Sequence, residues 1–318
     1  MPKKILVTGG AGFIGSHLID RLIEKNEIIC LDNFDPYYDP EVKRKNIEPH
    51  LERDNFRLVE SDIRDIGSLE KIFKEGIDKV VHLAAKVGVR PSIKDPFVYI
   101  DVNIRGTLNL LDLCKVYGIE NFVFASSSSV YGLNKTPFRE DDKVDTQVSP
   151  YGTSKRACEL YCRTYSLLYE IPTVCLRFFT VYGPRQRPDM AIHKFTRLVD
   201  QGEPIEMYGD GTSKRDYTYI SDIVDGIVSA LKKRFDFEIF NLGESKTVEL
   251  RYLISLIENN LGKKAKINQR PDQPGDVPVT YADITKAKRM LGYEPKVKIE
   301  EGIKRFVEWY LESNSGIS

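Results

Sequence analysis

The stretch TGGAGFIGSHL, residues 8–18, constrains this chain more than any other. It follows an apolar run, KILVTG (4–9), and opens a segment in which Ile14, Leu18, Ile19, Leu22 and Ile23 fall on one helical face. Strand, glycine loop and helix in that order serve a backbone that must turn tightly and approach an anion. The free N–H groups of the helix N-terminus then aim at that anion. Gly9, Gly12 and Gly15 stand in G-x-x-G-x-x-G spacing, and with Phe13 and Ile14 they are expected to cradle a pyrophosphate. Asp32 ends the next apolar run, EIICLD (27–32), 17 residues past Gly15. A carboxylate there accepts the ribose hydroxyls of an adenosine and repels a 2′-phosphate, so the expected coenzyme is NAD rather than NADP. Asn33 is assigned to the same site. Asp62 and Ile63 are expected at the adenine edge, and Leu83, Ala84 and Ala85 at a strand end that the coenzyme approaches.

Further buried-strand runs are FRLVES (56–61), KVVHLAA (79–85), NFVFASS (121–127) and TVCLRFF (173–179), separated by helical patterns. The fold class is therefore α/β: a Rossmann-type, doubly wound parallel sheet covered on both faces, with right-handed crossovers. After about residue 180 the rhythm breaks. GPRQRPDM, YGDGTSKRD and NQRPDQPGD read as loops between helices expected near 190–201, 221–233, 248–261 and 299–313. The expected division is a NAD-binding domain over 1–180 and a smaller C-terminal α/β substrate lobe over 181–318, with the chain crossing between them around 220–245.

Lys+Arg and Asp+Glu both number 47, and this zero net charge argues against nucleic acid or an anionic membrane surface as a partner. No apolar run approaches the roughly 18 residues a spanning helix needs. The N-terminal apolar run is too short for a signal peptide and reads as a strand. The five cysteines are odd in number and contain no CxxC pair. Cys158 and Cys162 share a helical face, but no histidine or carboxylate cluster joins them, so no metal is expected. Buried thiols in a reduced cytoplasm account for them.

SPYGTSKRACEL, residues 149–160, sets Tyr151 and Lys155 at i, i+4 on one helix face. A phenol is a poor base at neutral pH, but an ammonium and an oxidised nicotinamide nearby favour its ionised form. Such a group takes a proton from a sugar hydroxyl while the nicotinamide takes the hydride. Ser127, 24 residues before Tyr151, is placed to hydrogen-bond the reacting oxygen, and Ser126, Ser128 and Ser129 are alternatives for that role. Asn103 is read either as a brace for Lys155 or the serines, or as an ordinary helix-turn residue.

TGGAGFIG, the strand-end Asp32, HLAA, SSSSVYG, YGTSK and RFFTVYGP together resemble the extended short-chain dehydrogenase/reductase family, in its nucleotide-sugar epimerase and dehydratase branch. The resemblance covers nearly the whole chain. It implies a tightly held, recycled NAD, a nucleotide-sugar lobe and a homodimer paired through the helices at about 97–117 and 151–170. Leu108, Leu111, Leu160 and Leu167 are the apolar candidates on those helices. The alternative is that these faces pack only on their own sheet.

Family dehydratases carry an Asp–Glu pair just after the strand-five Ser/Thr, and the related decarboxylases a nearby glutamate. This chain has Ser128 and Ser129 after Ser127. With no second acid or base, the simplest outcome is oxidation at C4, rotation of the keto sugar and hydride return: 4-epimerisation. Thr180 and Arg187, in TVYGPRQRPDMA, resemble the UDP-glucuronate 4-epimerases, where this pair meets the uronic carboxylate. A guanidinium fork matches a carboxylate bidentately. The resemblance also assigns Arg215 and Asp276 to diphosphate and ribose, and Arg90 to the substrate. The expectation is UDP-glucuronate 4-epimerisation. The alternatives are the same chemistry on UDP-glucose and UDP-galactose, or a non-catalytic NAD-binding regulator.

Overall fold

The six apolar runs form β1 (Lys4–Thr8), β2 (Glu27–Asp32), β3 (Phe56–Glu60), β4 (Lys79–His82), β5 (Asn121–Ser127) and β6 (Thr173–Phe178) in a computed structural model that describes residues 2–271 and 277–314. The later strands are β7 (Thr180–Tyr182), β8 (Pro204–Tyr208), β9 (Lys214–Tyr219), β10 (Phe237–Leu242), β11 (Thr247–Glu249) and β12 (Lys266–Arg270). The main sheet has seven strands in the order β10-β6-β5-β4-β1-β2-β3, every pair parallel. The chain winds outward from β1 to β3, then restarts on the other side at β4. The crevice at this switch point, past the carboxyl ends of β1 and β4, is where such sheets bind ligands.

Side chains alternate between two cores, one on each face of the sheet. Ile5 and Val7 of β1, Ile28 and Cys30 of β2 and Val123 of β5 join one; Leu6, Ile29, Leu31, Phe122 and Phe124 join the other. All seven residues of β5 are buried. Burial on both faces explains why these strands read as unbroken apolar runs.

The helices at Ala191–Asp200, Ile220–Lys232, Leu250–Leu261 and Ile299–Asn314 match the sequence expectation closely. The strands among them were not foreseen. The chain leaves the main sheet after β6, and after the Ile220–Lys232 helix it returns to add β10 beside β6. Two small sheets complete the C-terminal part: β11-β9-β7, and β8 paired with β12.

The helix Pro150–Tyr169 carries Tyr151 and Lys155. Ser149 caps its N-terminus by accepting the Gly152 N–H at 3.1 Å, and Pro150 occupies the first turn, where no N–H is needed. A buried cluster clamps it to the sheet. Glu159 on the helix accepts from Arg177 of β6 at 2.8 and 2.9 Å and from Ser126 of β5 at 2.6 Å. Arg156 closes on the same carboxylate at 3.0 Å, and the Arg177 guanidinium lies over the Tyr131 ring at 4.7 Å. Removing one partner of a buried pair strands the other charge. Glu159→Gln is expected to lower unfolding stability by roughly 3–5 kcal/mol in denaturant titrations, and Glu159→Leu combined with Arg177→Met to recover most of it.

Candidate active site

Gly9 has φ +69°, and a Cβ there would stand 2.8 Å from the Ala84 nitrogen of the neighbouring strand end. A Cβ on Gly15 would stand 2.3 Å from the Gly9 carbonyl oxygen. The loop therefore packs backbone on backbone, which holds the start of the Phe13–Leu22 helix against β1 with its N–H groups facing the crevice. Asp32, buried at the end of β2, ties this loop down by accepting the Ala11 N–H at 3.1 Å, and accepts the Phe34 N–H at 2.9 Å. Burial raises its pKa, and Lys43 together with these two N–H groups pulls it back.

A cleft runs from this loop across the end of the sheet, with a cavity volume of about 430 Å³. All of the expected coenzyme residues line it: Gly9, Gly12, Phe13, Ile14, Gly15, Asp32, Asn33, Asp62, Ile63, Leu83, Ala84, Ala85, Tyr151 and Lys155. So do Ser127, Ser128, Ser129, Thr180 and Arg187 from the substrate set. Asp62 is held ionised, its pKa down to about 2, by hydrogen bonds from Arg64 and from Asn33. Ala84 is fixed from behind. His82, fully buried and pushed down to about 3 by desolvation, is neutral. Thr107 donates to the Asn103 carbonyl, so His82 Nε2–H donates to Thr107 at 3.0 Å and His82 Nδ1 accepts from Thr8 at 2.7 Å. Thr8 Oγ1 then accepts the Ala84 N–H at 3.3 Å.

The region expected as one helix at 97–117 is a short turn (Phe97–Tyr99), a π-helical segment (Ile100–Arg105) and an α-helix (Gly106–Tyr117). Such wide turns break the regular ladder and turn a side chain inward. Asn103 sits in it and braces the main chain of Lys86 at 2.8 and 3.0 Å and the Ser154 hydroxyl at 3.0 Å, rather than Lys155 or the strand-five serines.

The expected direct coupling of Tyr151 to Lys155 is corrected. Lys155 turns inward, donates to the Ala125 carbonyl at 2.7 Å and lies over the Phe124 ring at 4.8 Å. Burial raises the Tyr151 phenol; the Ser127 hydrogen bond and the Arg187 charge pull it down. Arg187 is thus the chain's own cation acting on the phenol. Arg187 is itself engaged, because its guanidinium meets Asp189 at 2.9 and 2.7 Å.

Arg90 and Arg215 do not line the cleft. Arg90 is exposed over the Tyr208 ring at 4.5 Å, and Arg215 donates to the Lys214 and Pro278 carbonyls at 3.0 and 3.3 Å. Asp276 lies outside the described residues. The five cysteines are buried and unpaired, and among the described residues no group of histidine, cysteine or carboxylate could hold a metal.

Several lining residues were missed: Asp35, Tyr37, Tyr38, Lys43, Lys86 and Met190. Three of these six belong to DNFDPYYDP, where Asp32, Asn33, Asp35 and Asp39 each accept the N–H two residues on, at 2.9, 3.0, 3.0 and 3.0 Å. A run of such side-chain turns was the available signal for a structured loop. Lys86 bridges to Asp35 at 2.7 Å, joining that loop to the end of β4.

Residues 6–306 match the GDP-mannose 4,6 dehydratase family, and the chain belongs to it. It is 50% identical over 316 residues to an uncharacterised protein of Methanocaldococcus jannaschii, covering 98% of this chain and 97% of that one. It is 43% identical over 311 residues to UDP-glucuronate 4-epimerase of Thermodesulfobacterium geofontis, covering 97% and 96%. Among solved structures it is similar to UDP-glucuronic acid 4-epimerase from Bacillus cereus in complex with UDP-glucuronic acid and NAD. That match has a TM-score of 0.92 and 38% identity, and covers 98% and 99% of the two chains.

Desolvation pulls the Lys155 ammonium from 10.5 to about 8, against the upward pull of Cys158, Cys162, Glu159 and Cys175. Its folded value lies below its unfolded one, so the cost of burying the charge is fully present below about pH 8. Stability then rises as pH climbs from about 8 towards 10.5. Lys155→Met is expected to melt above the wild type at pH 7, with the gap closing towards pH 10.5, in paired thermal melts; a gap constant with pH contradicts this.

Proposed function

We propose that the protein is an NAD-dependent UDP-glucuronate 4-epimerase. The observation that carries this reading is the distribution of charge along the cleft. Its described lining carboxylates are Asp32 at the end of β2, Asp35 paired with Lys86, and Asp62 paired with Arg64, and none belongs to the segments that carry the serines, Tyr151 or Thr180 to Met190. Around Ser127, Ser128, Ser129, Tyr151, Phe178, Phe179, Thr180, Arg187 and Met190 the described lining holds a phenol, hydroxyls and a guanidinium, but no acid. A dehydratase must protonate a leaving hydroxyl at C6 and remove a proton at C5, and this end offers no carboxylate for either.

The glycine loop would hold the diphosphate of NAD, Asp32 its adenosine ribose and Lys155, which lines the same cleft, its nicotinamide ribose. NAD, when bound, accepts the C4 hydride and adds its positive charge beside the phenol. Tyr151 takes the O4 proton, with Ser127 holding that oxygen, as the C4–H bond gives up its hydride. The 4-keto sugar turns over in the cleft, the hydride returns to its opposite face and Tyr151 returns the proton. Thr180 and Arg187 hold the uronic carboxylate, and keep it out of the geometry in which a 4-keto acid loses CO2. The rival UDP-glucose reading gives the N–H groups of Arg187 that Asp189 does not take no second carboxylate to meet. Asp276 remains assigned to the uridine ribose by resemblance.

We infer a homodimer as well. Phe97 is 77% exposed, Val116 68%, Leu167 79% and Leu168 62%, all on the two helices the family resemblance pairs. Leu111 is completely buried in the chain's own core and is removed from the expected contact set. We infer a cytoplasmic location from the cysteines, because an odd number of thiols with no CxxC pair suits a reducing compartment. Among the described residues no helix is long and apolar enough to cross a membrane. Leu167→Glu is expected to halve the native mass in sedimentation, and an unchanged mass removes this interface.

UDP-glucuronate incubated with the purified protein is expected to yield UDP-galacturonate, resolved by chromatography, with no net nicotinamide absorbance. Arg187→Ala is expected to weaken UDP-glucuronate binding about 100-fold while changing UDP-glucose binding little, read as Kd because the same guanidinium also acts on the Tyr151 phenol and its loss moves kcat on either sugar. Equal loss on both sugars, or no loss on either, contradicts the carboxylate assignment.

A further inference from the structure

We propose that Asp189, fastened by Tyr37, is a specificity-determining positioning residue, gripping Arg187 by one edge so that its other edge faces the C5 substituent of the sugar. This rests on the uronate reading above and adds to it a residue that never touches substrate. Asp189 accepts from Arg187 Nε at 2.9 Å and Nη2 at 2.7 Å, so both bonds use the same side of the guanidinium. A guanidinium has five N–H donors in a rigid plane. Three remain, shared by Nη1 and Nη2, and one from each makes the end-on fork that fits a second carboxylate.

The placement of the two residues agrees with this division. Arg187 lines the cleft and Asp189 does not, so the acid stands behind the cation as seen from the sugar. The turn that holds them is closed by the Met190 N–H donating to the Arg187 carbonyl at 3.2 Å. Tyr37 completes the arrangement. Its hydroxyl donates to Asp189 at 3.3 Å and its ring lies 5.6 Å from the guanidinium centre. Tyr37 belongs to the loop that begins at Asp32, so one wall carries both the coenzyme's ribose acid and the support for the substrate's cation.

Two physical consequences follow. A long arginine side chain loses much rotamer freedom when it is fixed, and Asp189 fixes it before substrate arrives. Neutralising its charge also leaves recognition to fork geometry, so the diphosphate of a misplaced nucleotide sugar gains less from a bare cation.

The test uses the NAD-loaded wild type, Asp189→Ala, Asp189→Asn, Tyr37→Phe, Arg187→Ala and the Arg187→Ala/Asp189→Ala double variant. For each, kcat and KM are measured with UDP-glucuronate, and Kd by calorimetry with UDP-glucuronate and UDP-glucose. Asp189→Ala is expected to weaken UDP-glucuronate binding about tenfold, chiefly in KM, and to change UDP-glucose binding by less than about twofold. Asp189→Asn, which keeps an acceptor for Nε, and Tyr37→Phe should each fall between Asp189→Ala and wild type. Without Arg187, removing Asp189 should change nothing further, because the two act as one unit. Equal weakening of both sugars, tighter uronate binding in Asp189→Ala, or an Asp189 effect that persists without Arg187 overturns the proposal while leaving the epimerase reading standing. A wild type inert towards UDP-glucuronate overturns both.

Discussion

The ion pair of Glu159 with Arg177 is the contact on which the rest of the site depends. One carboxylate on the Pro150–Tyr169 helix gathers a guanidinium from β6, a hydroxyl from β5 and a second arginine, all at or below 3.0 Å. It sits two turns beyond Tyr151 and one beyond Lys155 on that helix. A slip of the helix along the sheet would break the three charge-assisted bonds that Glu159 makes to β5 and β6, with no water to replace them. The distance between the strand-five serines and the phenol is therefore set by a buried pair far from any substrate atom. That placement suits chemistry in which a proton and a hydride leave neighbouring atoms together, because small displacements there are costly.

The electrostatics of the cleft is divided between its ends. Acids face the adenosine side, where Asp32 and Asp62 are fixed by N–H donors and by Arg64. Hydroxyls, a phenol and Arg187 face the sugar side. Lys155 is held below, against the Ala125 carbonyl, at a depth where its charge is expensive. Burial alone makes Tyr151 a worse base than a free phenol. The chain's own groups offset this only partly, through Ser127 and Arg187, so the remaining bias towards the ionised form falls to the positive nicotinamide. In the mechanism proposed above, ionisation of the phenol is thereby tied to the presence of a hydride acceptor.

The first half of the fold was legible because its strands are buried on both faces. KILVTG, EIICLD and NFVFASS carry no alternation to misread, and the glycine loop with its strand-end acid marks the switch point. The split helix at 97–117 was not legible, because a π-helical segment leaves no periodic signature of its own. β10, FEIFNL, has a charge in its second position and was not read as a strand, although a crossing of the chain between the two lobes was expected around 220–245. The short strands β7, β9 and β11 hold three to six residues, too few for period alone to declare them. At the site, residue types in fixed motifs placed Gly9, Asp32, Ser127, Tyr151 and Arg187 in one cleft. The partners of those residues were not legible. Lys86 across from Asp35 and Ala125 beneath Lys155 are set by tertiary approach, which spacing along the chain does not encode, and Asp189 behind Arg187 is set by a turn within a proline-rich loop that carries no periodic signal. Arg215, assigned by resemblance, and Arg90, taken from its place after β4, are not among the described residues that line the cleft.

The measurement that tests the central claim most directly follows an isotope. UDP-glucuronate carrying deuterium at C4 is converted in ordinary water, and the UDP-galacturonate is examined by NMR; unlabelled substrate is converted in heavy water alongside. Removal and return of a hydride at C4, in a cleft with no acid at its sugar end, predicts full retention of the C4 label and no deuterium from solvent at C4 or C5. Loss of the C4 label to solvent, or solvent deuterium at C5, would contradict the account.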